Sequence, residues 1–93
     1  MLSETIYHLR DGVQVRKEKF GLLFYNYRGP RLYFVPTEDL LDPDFFTSCR
    51  KAGELVDSIE AANAWPRSWI ENWVDRIMIT LEQKGLIYGQ SIC

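Results

Sequence analysis

Residues 21–36, which read GLLFYNYRGPRLYFVP, contain two short apolar runs separated by a polar turn. Gly29 can supply the positive φ that a tight turn requires, and Pro30 beside it lacks the N–H that a ladder hydrogen bond would need. Pro36 ends the second run for the same reason. The stretch therefore predicts a β-hairpin whose second strand leads into the remainder of the chain.

A further strand precedes this hairpin. In the segment DGVQVRK, residues 11–17, Val13 and Val15 alternate with polar residues, which is the period of a half-buried strand. The dipeptide Asp11-Gly12 at its start is a turn signal. Three consecutive strands joined by short connections predict a three-stranded antiparallel meander.

The last strand of this meander, residues 31–35, is the first candidate for function. Its side chains should alternate between the two faces of the sheet. The expected inward-facing residues are Leu32 and Phe34, and the expected outward-facing residues are Arg31, Tyr33 and Val35. At the edge of the sheet, this strand would present unpaired backbone groups, and no charge follows its first residue until Glu38. A bare edge beside an apolar helix is the arrangement that accepts a peptide as an extra strand.

Two short helices are expected after the meander. The first, DPDFFTSCRKA, begins with Asp42 as N-cap and Pro43 at the first helical position. We expect Gly53 to end it and Cys49 to be a small buried apolar residue. The segment ELVDSIEAANA, residues 54–64, then predicts a second amphipathic stretch.

The third predicted helix is PRSWIENWVDRIMITLEQKG, residues 66–85. Ser68 and Glu71 have the spacing of a capping box, and Gly85 is placed to follow the last turn. Its apolar residues form two neighbouring stripes: Trp69, Ile70, Trp73, Val74, Ile77, Met78 and Leu81. One stripe can pack on the sheet while the other lines a groove, but a helix buried on two sides would show the same pattern. The expected fold class is α+β, a three-stranded antiparallel meander followed by three helices in a winged-helix-like arrangement, as one domain over residues 1–93.

Catalytic and metal-binding motifs are absent from the sequence. There is no nucleophile elbow, Walker loop or GxGxxG, and the single histidine, His8, and the two cysteines are too scattered for a zinc site. We therefore expect neither an enzyme nor a zinc site. No run approaches the about 18 apolar residues that span a membrane, and the N-terminus lacks the features of a signal peptide, so a cytoplasmic protein is expected.

Charge is unevenly distributed along the chain. Residues 1–35 hold six basic and three acidic side chains, whereas residues 36–93 hold five basic and ten acidic ones. A winged helix often binds DNA, but the third predicted helix has three basic and three acidic residues, and a DNA-reading helix should be distinctly basic. Nucleic acid is thus not an expected partner, and a winged-helix DNA-binding module is kept as an alternative.

Two segments of the sequence, YHLRDGVQVRKEKFGLLFYNYRGPRLYFV (7–35) and LEQKGLIYG (81–89), carry a resemblance to a known family. They resemble the PqqD-like peptide chaperones, or RiPP recognition elements, and within them most closely the MftB chaperones of the mycofactocin system. The resemblance spans nearly the whole chain, but residues 36–65 show no motif of the family.

The resemblance implies a non-catalytic function. Such chaperones have three strands and three helices, hold no cofactor, and bind the leader of a ribosomally synthesised precursor peptide by strand addition. They present it to a radical S-adenosylmethionine (SAM) maturase, which in the mycofactocin pathway oxidatively decarboxylates a C-terminal tyrosine and crosslinks it to a valine. The leader-binding strand of the family corresponds to residues 31–35, and its groove helix to residues 69–81.

These considerations define a predicted site, in which the leader pairs with strand 31–35 and inserts apolar side chains against the third helix while arginines meet leader carboxylates. The predicted peptide-binding residues are Arg28, Arg31, Leu32, Tyr33, Phe34, Val35, Trp69, Trp73, Arg76 and Ile77. Trp73 and Ile77 could instead belong to the core, and Tyr33 could be an ordinary exposed aromatic residue. A homodimer formed by pairing two such edges is a further alternative.

Overall fold

The computed structural model of the chain describes residues 3–28 and 31–91, with Arg31 by its backbone alone. Its elements, in chain order, are β1 (Ile6–Leu9), β2 (Val13–Glu18), β3 (Gly21–Asn26), β4 (Arg31–Val35), a 3₁₀ helix (Pro43–Phe46), α1 (Ala52–Ala62), α2 (Arg67–Gln83) and β5 (Ile87–Gln90). The predicted turn residues Gly29 and Pro30 lie outside the described residues. The fold is a mixed α+β fold, and the prediction of three helices is wrong: the described residues form two α-helices and one short 3₁₀ helix.

The predicted meander is confirmed. Strands β2, β3 and β4 form an antiparallel sheet in that order, with Val13 opposite Asn26 in the first pair and Leu22 opposite Val35 in the second. The turn before β2 has Gly12 at a φ of 84°, a conformation that glycine adopts without steric cost.

The orientation predicted for β4 is wrong. Leu32 and Phe34 were expected to face inward, but they are 72% and 43% exposed, whereas Val35 is buried and Tyr33 is half-buried. The reason is the register. Tyr33 and Val35 lie opposite fully buried residues of β3, and residues directly opposite each other share a face. Because β4 is apolar at both sets of alternating positions, its own sequence did not indicate which set is buried.

A second, two-stranded sheet was not predicted. β1 and β5 pair antiparallel, from Ile6 opposite Gln90 to Leu9 opposite Ile87. The segment before β1 also supports α1, since the N–H groups of Ala52 and Gly53 donate to backbone carbonyls of residues 5 and 3, each at 2.8 Å. Each strand has only four residues, and the two lie at opposite ends of the chain, so local periodicity did not reveal them.

The middle of the chain departs most from the predicted helices. Asp42 and Pro43 do begin a helix, but it is a single 3₁₀ turn that ends at Phe46. Gly53 lies within the first turn of α1 and does not end a helix. Cys49 is exposed, has a φ of 58° and is disulfide-bonded, so the prediction of a buried apolar residue is wrong.

Helix α2 is confirmed, with bounds close to those predicted. Gly85 follows it at a φ of 72°, as expected for the residue after a helix. The predicted capping box does not form, because the helix has Pro66 at its N-cap and no side-chain cap hydrogen bond. One stripe of the helix is fully buried in the core: Ile70, Val74, Met78 and Leu81. Among the described residues, no helix has both the length and the apolar composition needed to cross a membrane.

Candidate functional site

Strand β4 lies at an edge of the three-stranded sheet, and its free backbone groups can be assigned from the hydrogen-bonding pattern. The N–H of Tyr27 donates to the carbonyl oxygen of Gly12 at 3.0 Å, so odd-numbered residues of β3 direct their backbone groups at β2. The even-numbered residues of β3 therefore face β4, where they pair with its odd-numbered residues. It follows that the N–H and C=O groups of Leu32 and Phe34 point away from the sheet.

The opposite edge, formed by β2, carries charges that protect it. Arg16 donates to Glu18 at 2.8 Å, and Lys17 is 3.1 Å from the carboxylate of Asp42. Charged side chains, lysine above all, are a usual means of blocking an edge strand. A depression of about 410 Å³ lies beside β2, but Asp44 lines part of it. Volume alone therefore does not identify the site, and β4 is the edge better suited to pairing.

An apolar groove of about 210 Å³ lies between β4 and α2. Its lining residues are Tyr33, Val35, Pro36, Trp73, Arg76, Ile77, Thr80 and Leu81. Of the predicted peptide-binding residues, the structure brings together five in this groove: Tyr33, Val35, Trp73, Arg76 and Ile77. Trp73 and Ile77 also pack against the core, so the core and groove interpretations of the second helix stripe both hold.

The other predicted site residues lie elsewhere or are not described. Trp69 is half exposed, packs edge-on against Trp65 with ring centroids 5.0 Å apart, and is not among the residues that line the groove. Arg28 is 2.7 Å from the carboxylate of Asp11, near the turn before β2. Leu32 and Phe34 point to the face of the sheet opposite the groove. The side chain of Arg31 lies outside the described part of the chain.

The predicted list of peptide-binding residues omits four residues at the groove, Pro36, Thr80, Leu81 and Lys84, although the predicted groove helix, residues 69–81, includes Thr80 and Leu81. The ammonium of Lys84 lies 4.4 Å from the centre of the Tyr33 ring, a cation–π distance. Thr80 and Leu81 follow Ile77 by three and four positions, so the helical period could have identified them.

The electrostatics of the groove favour an anionic guest. Among the described residues that line the groove, Arg76 is the one charged residue, and Lys84 adds a second cation beside Tyr33. The described residues include no cluster of side chains suited to holding a metal ion. An open strand edge, an apolar groove and two cations together can bind an extended apolar chain that carries a carboxylate.

Comparison with known protein families yields a match that covers most of the chain. The model of a family described as the peptide chaperone MftB family matches residues 6–87, well over half of the chain. The matched region contains both β4 and α2, the two elements that form the groove. Neither the curated proteins nor the solved structures yield a match.

Proposed function

The chain belongs to the peptide chaperone MftB family, and from this premise we propose that it binds the leader of a ribosomally synthesised precursor peptide by strand addition at β4. It then presents the bound precursor to a radical SAM maturase, as in mycofactocin-type biosynthesis. The chaperone contributes binding and position and carries out no chemical step itself. The proposal includes the winged-helix-like arrangement and the cytoplasmic location expected from the sequence.

The open edge of β4 is the observation that carries this proposal. The backbone groups of Leu32 and Phe34 point away from the sheet and are available to a guest strand. Side chains of the guest that face inward enter the groove between Tyr33 and Trp73. Main-chain hydrogen bonds thus supply affinity, and the shape of the groove supplies selectivity.

The contributions of individual residues follow from their positions. An apolar leader side chain buried against Trp73 and Ile77 would contribute on the order of 1–3 kcal/mol. A leader carboxylate at Arg76 would add less, and its contribution would weaken with salt because the arginine is exposed. Arg28 is already ion-paired with Asp11, so we assign it a smaller part than Arg76.

Strand addition is compatible with presentation of the leader to the maturase. A leader held along β4 is extended, and both of its ends are free to continue beyond the sheet. Fixing the leader on a chaperone that also contacts the maturase raises the effective concentration of the modified segment at that enzyme. The chaperone needs no cofactor for this function.

The experiment that tests the proposal compares prolines at the two edges of the sheet. Phe34→Pro removes an N–H that faces away from β4 without breaking a bond to β3, so the sheet itself is retained. A fluorescein-labelled leader of a mycofactocin-type precursor peptide is titrated into each protein. We expect a loss of affinity of about tenfold or more for Phe34→Pro.

The matched control is Val15→Pro on β2, whose N–H faces the opposite free edge by the same alternation. This variant should bind the leader as the wild type does, and thermal unfolding of each variant shows whether the fold is retained. Unchanged affinity in a folded Phe34→Pro protein would exclude strand addition at β4.

The same open edge favours a second candidate function, pairing between two copies of the chain. Light scattering with and without leader distinguishes the two, since a dimer formed through β4 must dissociate when leader binds there. DNA binding has no such support. Arg67, one of the three basic residues of the predicted third helix, lies 2.8 Å from Asp57 and 3.0 Å from Glu60 and is thus already ion-paired.

A further inference from the structure

The outer face of the three-stranded sheet, on the side away from the groove, is unexpectedly apolar next to the open edge. Leu32 and Phe34 are exposed there, and each lies opposite a half-buried apolar residue of β3. These cross-strand pairs are Tyr25 with Leu32 and Leu23 with Phe34. The outer face thus has apolar side chains on its last two strands, and they extend to the edge where a guest strand would be added.

A guest strand on β4 would have side chains on both faces of the sheet. A guest residue directly opposite Leu32 or Phe34 shares the outer face with it, at the distance of a cross-strand pair. A guest residue opposite Tyr33 instead points into the groove. The bound strand therefore meets apolar surface on both sides, at alternate positions.

Resting on the proposed function, we infer that the leader segment paired with β4 must be apolar at consecutive positions, with one set of side chains in the groove and the other against Leu32 and Phe34. Its recognition sequence is a continuous apolar run of about the length of β4, which has five residues. An alternating apolar and polar strand would fill only the groove and leave the outer pair exposed. Arg76 at the groove and Lys84 beside Tyr33 also favour an acidic residue in the leader.

The guest strand fits this surface better than other occupants because the apolar residues are continuous with the edge. The patch begins at the strand whose backbone the leader pairs with, so one binding event covers both. A second copy of the chain or the maturase on the outer face would bury the same side chains but would not require β4 to be paired. Peptide binding to the wild type and to variants of the outer face distinguishes these occupants.

Three labelled peptides with identical charged ends test the inference. Their central five residues are Val-Leu-Val-Leu-Val, Val-Ser-Val-Ser-Val, and five serines. Because a strand can shift by one residue, the alternating peptide can always place its valines in the groove and its serines outside. Fluorescence anisotropy with the full chain should show the continuous peptide binding about tenfold tighter than the alternating one, with the all-serine peptide weakest.

Protein variants show which residues cause the difference in affinity between the continuous and the alternating peptide. In the double variant Leu32→Thr with Phe34→Thr, the continuous and the alternating peptide should bind with nearly equal affinity, because the continuous peptide loses its contacts on the outer face. Threonine is chosen because it retains a high strand propensity. The matched control is Ile79→Thr, which replaces an exposed apolar residue of α2 outside the groove and should keep the preference for the continuous peptide.

The outcomes separate this inference from the proposed function. If the continuous and the alternating peptide bind the wild type with equal affinity, the inference is overturned. Strand addition at β4 would remain intact, and the outer face would be left for another occupant. If the double variant still binds the continuous peptide more tightly than the alternating one, the inference is also overturned. If no peptide binds the folded wild type, strand addition at β4 fails, and the inference fails with it.

Discussion

Thr37, one residue beyond the groove, combines full burial with an unsatisfied hydroxyl. It is 1% exposed, and its Oγ1 has no hydrogen-bond partner among the described residues. Its backbone is well satisfied, since its N–H donates to Val35 at 2.9 Å and its carbonyl accepts from Leu40 at 3.0 Å. The side-chain hydroxyl of Thr37, and not its backbone, is therefore the group that destabilises the fold.

Replacing that hydroxyl should stabilise the protein. Thr37→Val retains the branched shape and removes a buried polar group without a partner, so the free energy of unfolding should rise by about 1 kcal/mol. Thermal unfolding should show the midpoint rising by about 4–8 °C. Thr47→Val is the control, because Thr47 is exposed and its hydroxyl donates to the carbonyl of Asp44. A lower midpoint for Thr37→Val would contradict the prediction.

At the scale of elements, α1 begins without a side-chain cap because the segment before β1 replaces it. The carbonyls of Ser3 and Thr5 accept the N–H groups of Gly53 and Ala52, two of the donors that a helix leaves unpaired at its start. This close approach explains why a glycine lies in the first turn. A Cβ at Gly53 would lie 2.9 Å from the Cβ of Ser3 and 3.1 Å from its carbonyl oxygen.

The Gly53→Ala variant should therefore behave opposite to its helix propensity. In an exposed helix this change stabilises by about 1 kcal/mol, but here the methyl group displaces the segment that caps α1. We expect the free energy of unfolding to fall by about 1 kcal/mol in urea denaturation. Asn72→Ala, an exposed position on α2, is the control and should be neutral or slightly stabilising. A higher free energy of unfolding for Gly53→Ala would contradict the prediction, because it would show that the segment before β1 can move aside without loss of stability.

At the scale of the whole molecule, Tyr7 connects the two-stranded sheet to the core beneath α2. Burial raises the pKa of its phenol above the ordinary 10.0, and the negative charges of Glu82 and Asp75 raise it further. The folded state therefore holds this proton more tightly than the unfolded state does. Its contribution to stability is complete below pH 10 and is lost as the pH rises through the higher pKa of the folded state.

This linkage predicts a difference at high pH between the wild type and Tyr7→Phe. Phenylalanine cannot ionise, so the variant should lose less stability than the wild type as the pH increases from about 10. Urea unfolding at a series of pH values measures how steeply the free energy of unfolding of each protein falls with pH. Lys51, whose pKa is raised by its hydrogen bond to Glu4, is present in both proteins and contributes equally. Parallel curves above pH 10 would contradict the prediction.

The candidate site was predictable in part. Tyr33, Trp73 and Ile77 were identified because an edge strand and a wide apolar helix are visible in local sequence, and they do line one groove. Trp69 was included on the same reasoning, but it packs against Trp65 instead. Helical spacing places a residue on a face of the helix, yet it does not indicate how far along the helix a groove extends.

The sequence by itself determined the local elements: the three-strand meander, the start of the 3₁₀ helix at Pro43, and α2 with Gly85 after its end. Turn residues, caps and periodicity act between neighbours in the chain, so they can be interpreted without a fold. Only the tertiary structure decided the pairing of β1 with β5 and the inward face of β4. Both depend on contacts between residues distant in sequence, and a strand that is apolar on both faces is oriented only by the buried residues it pairs with.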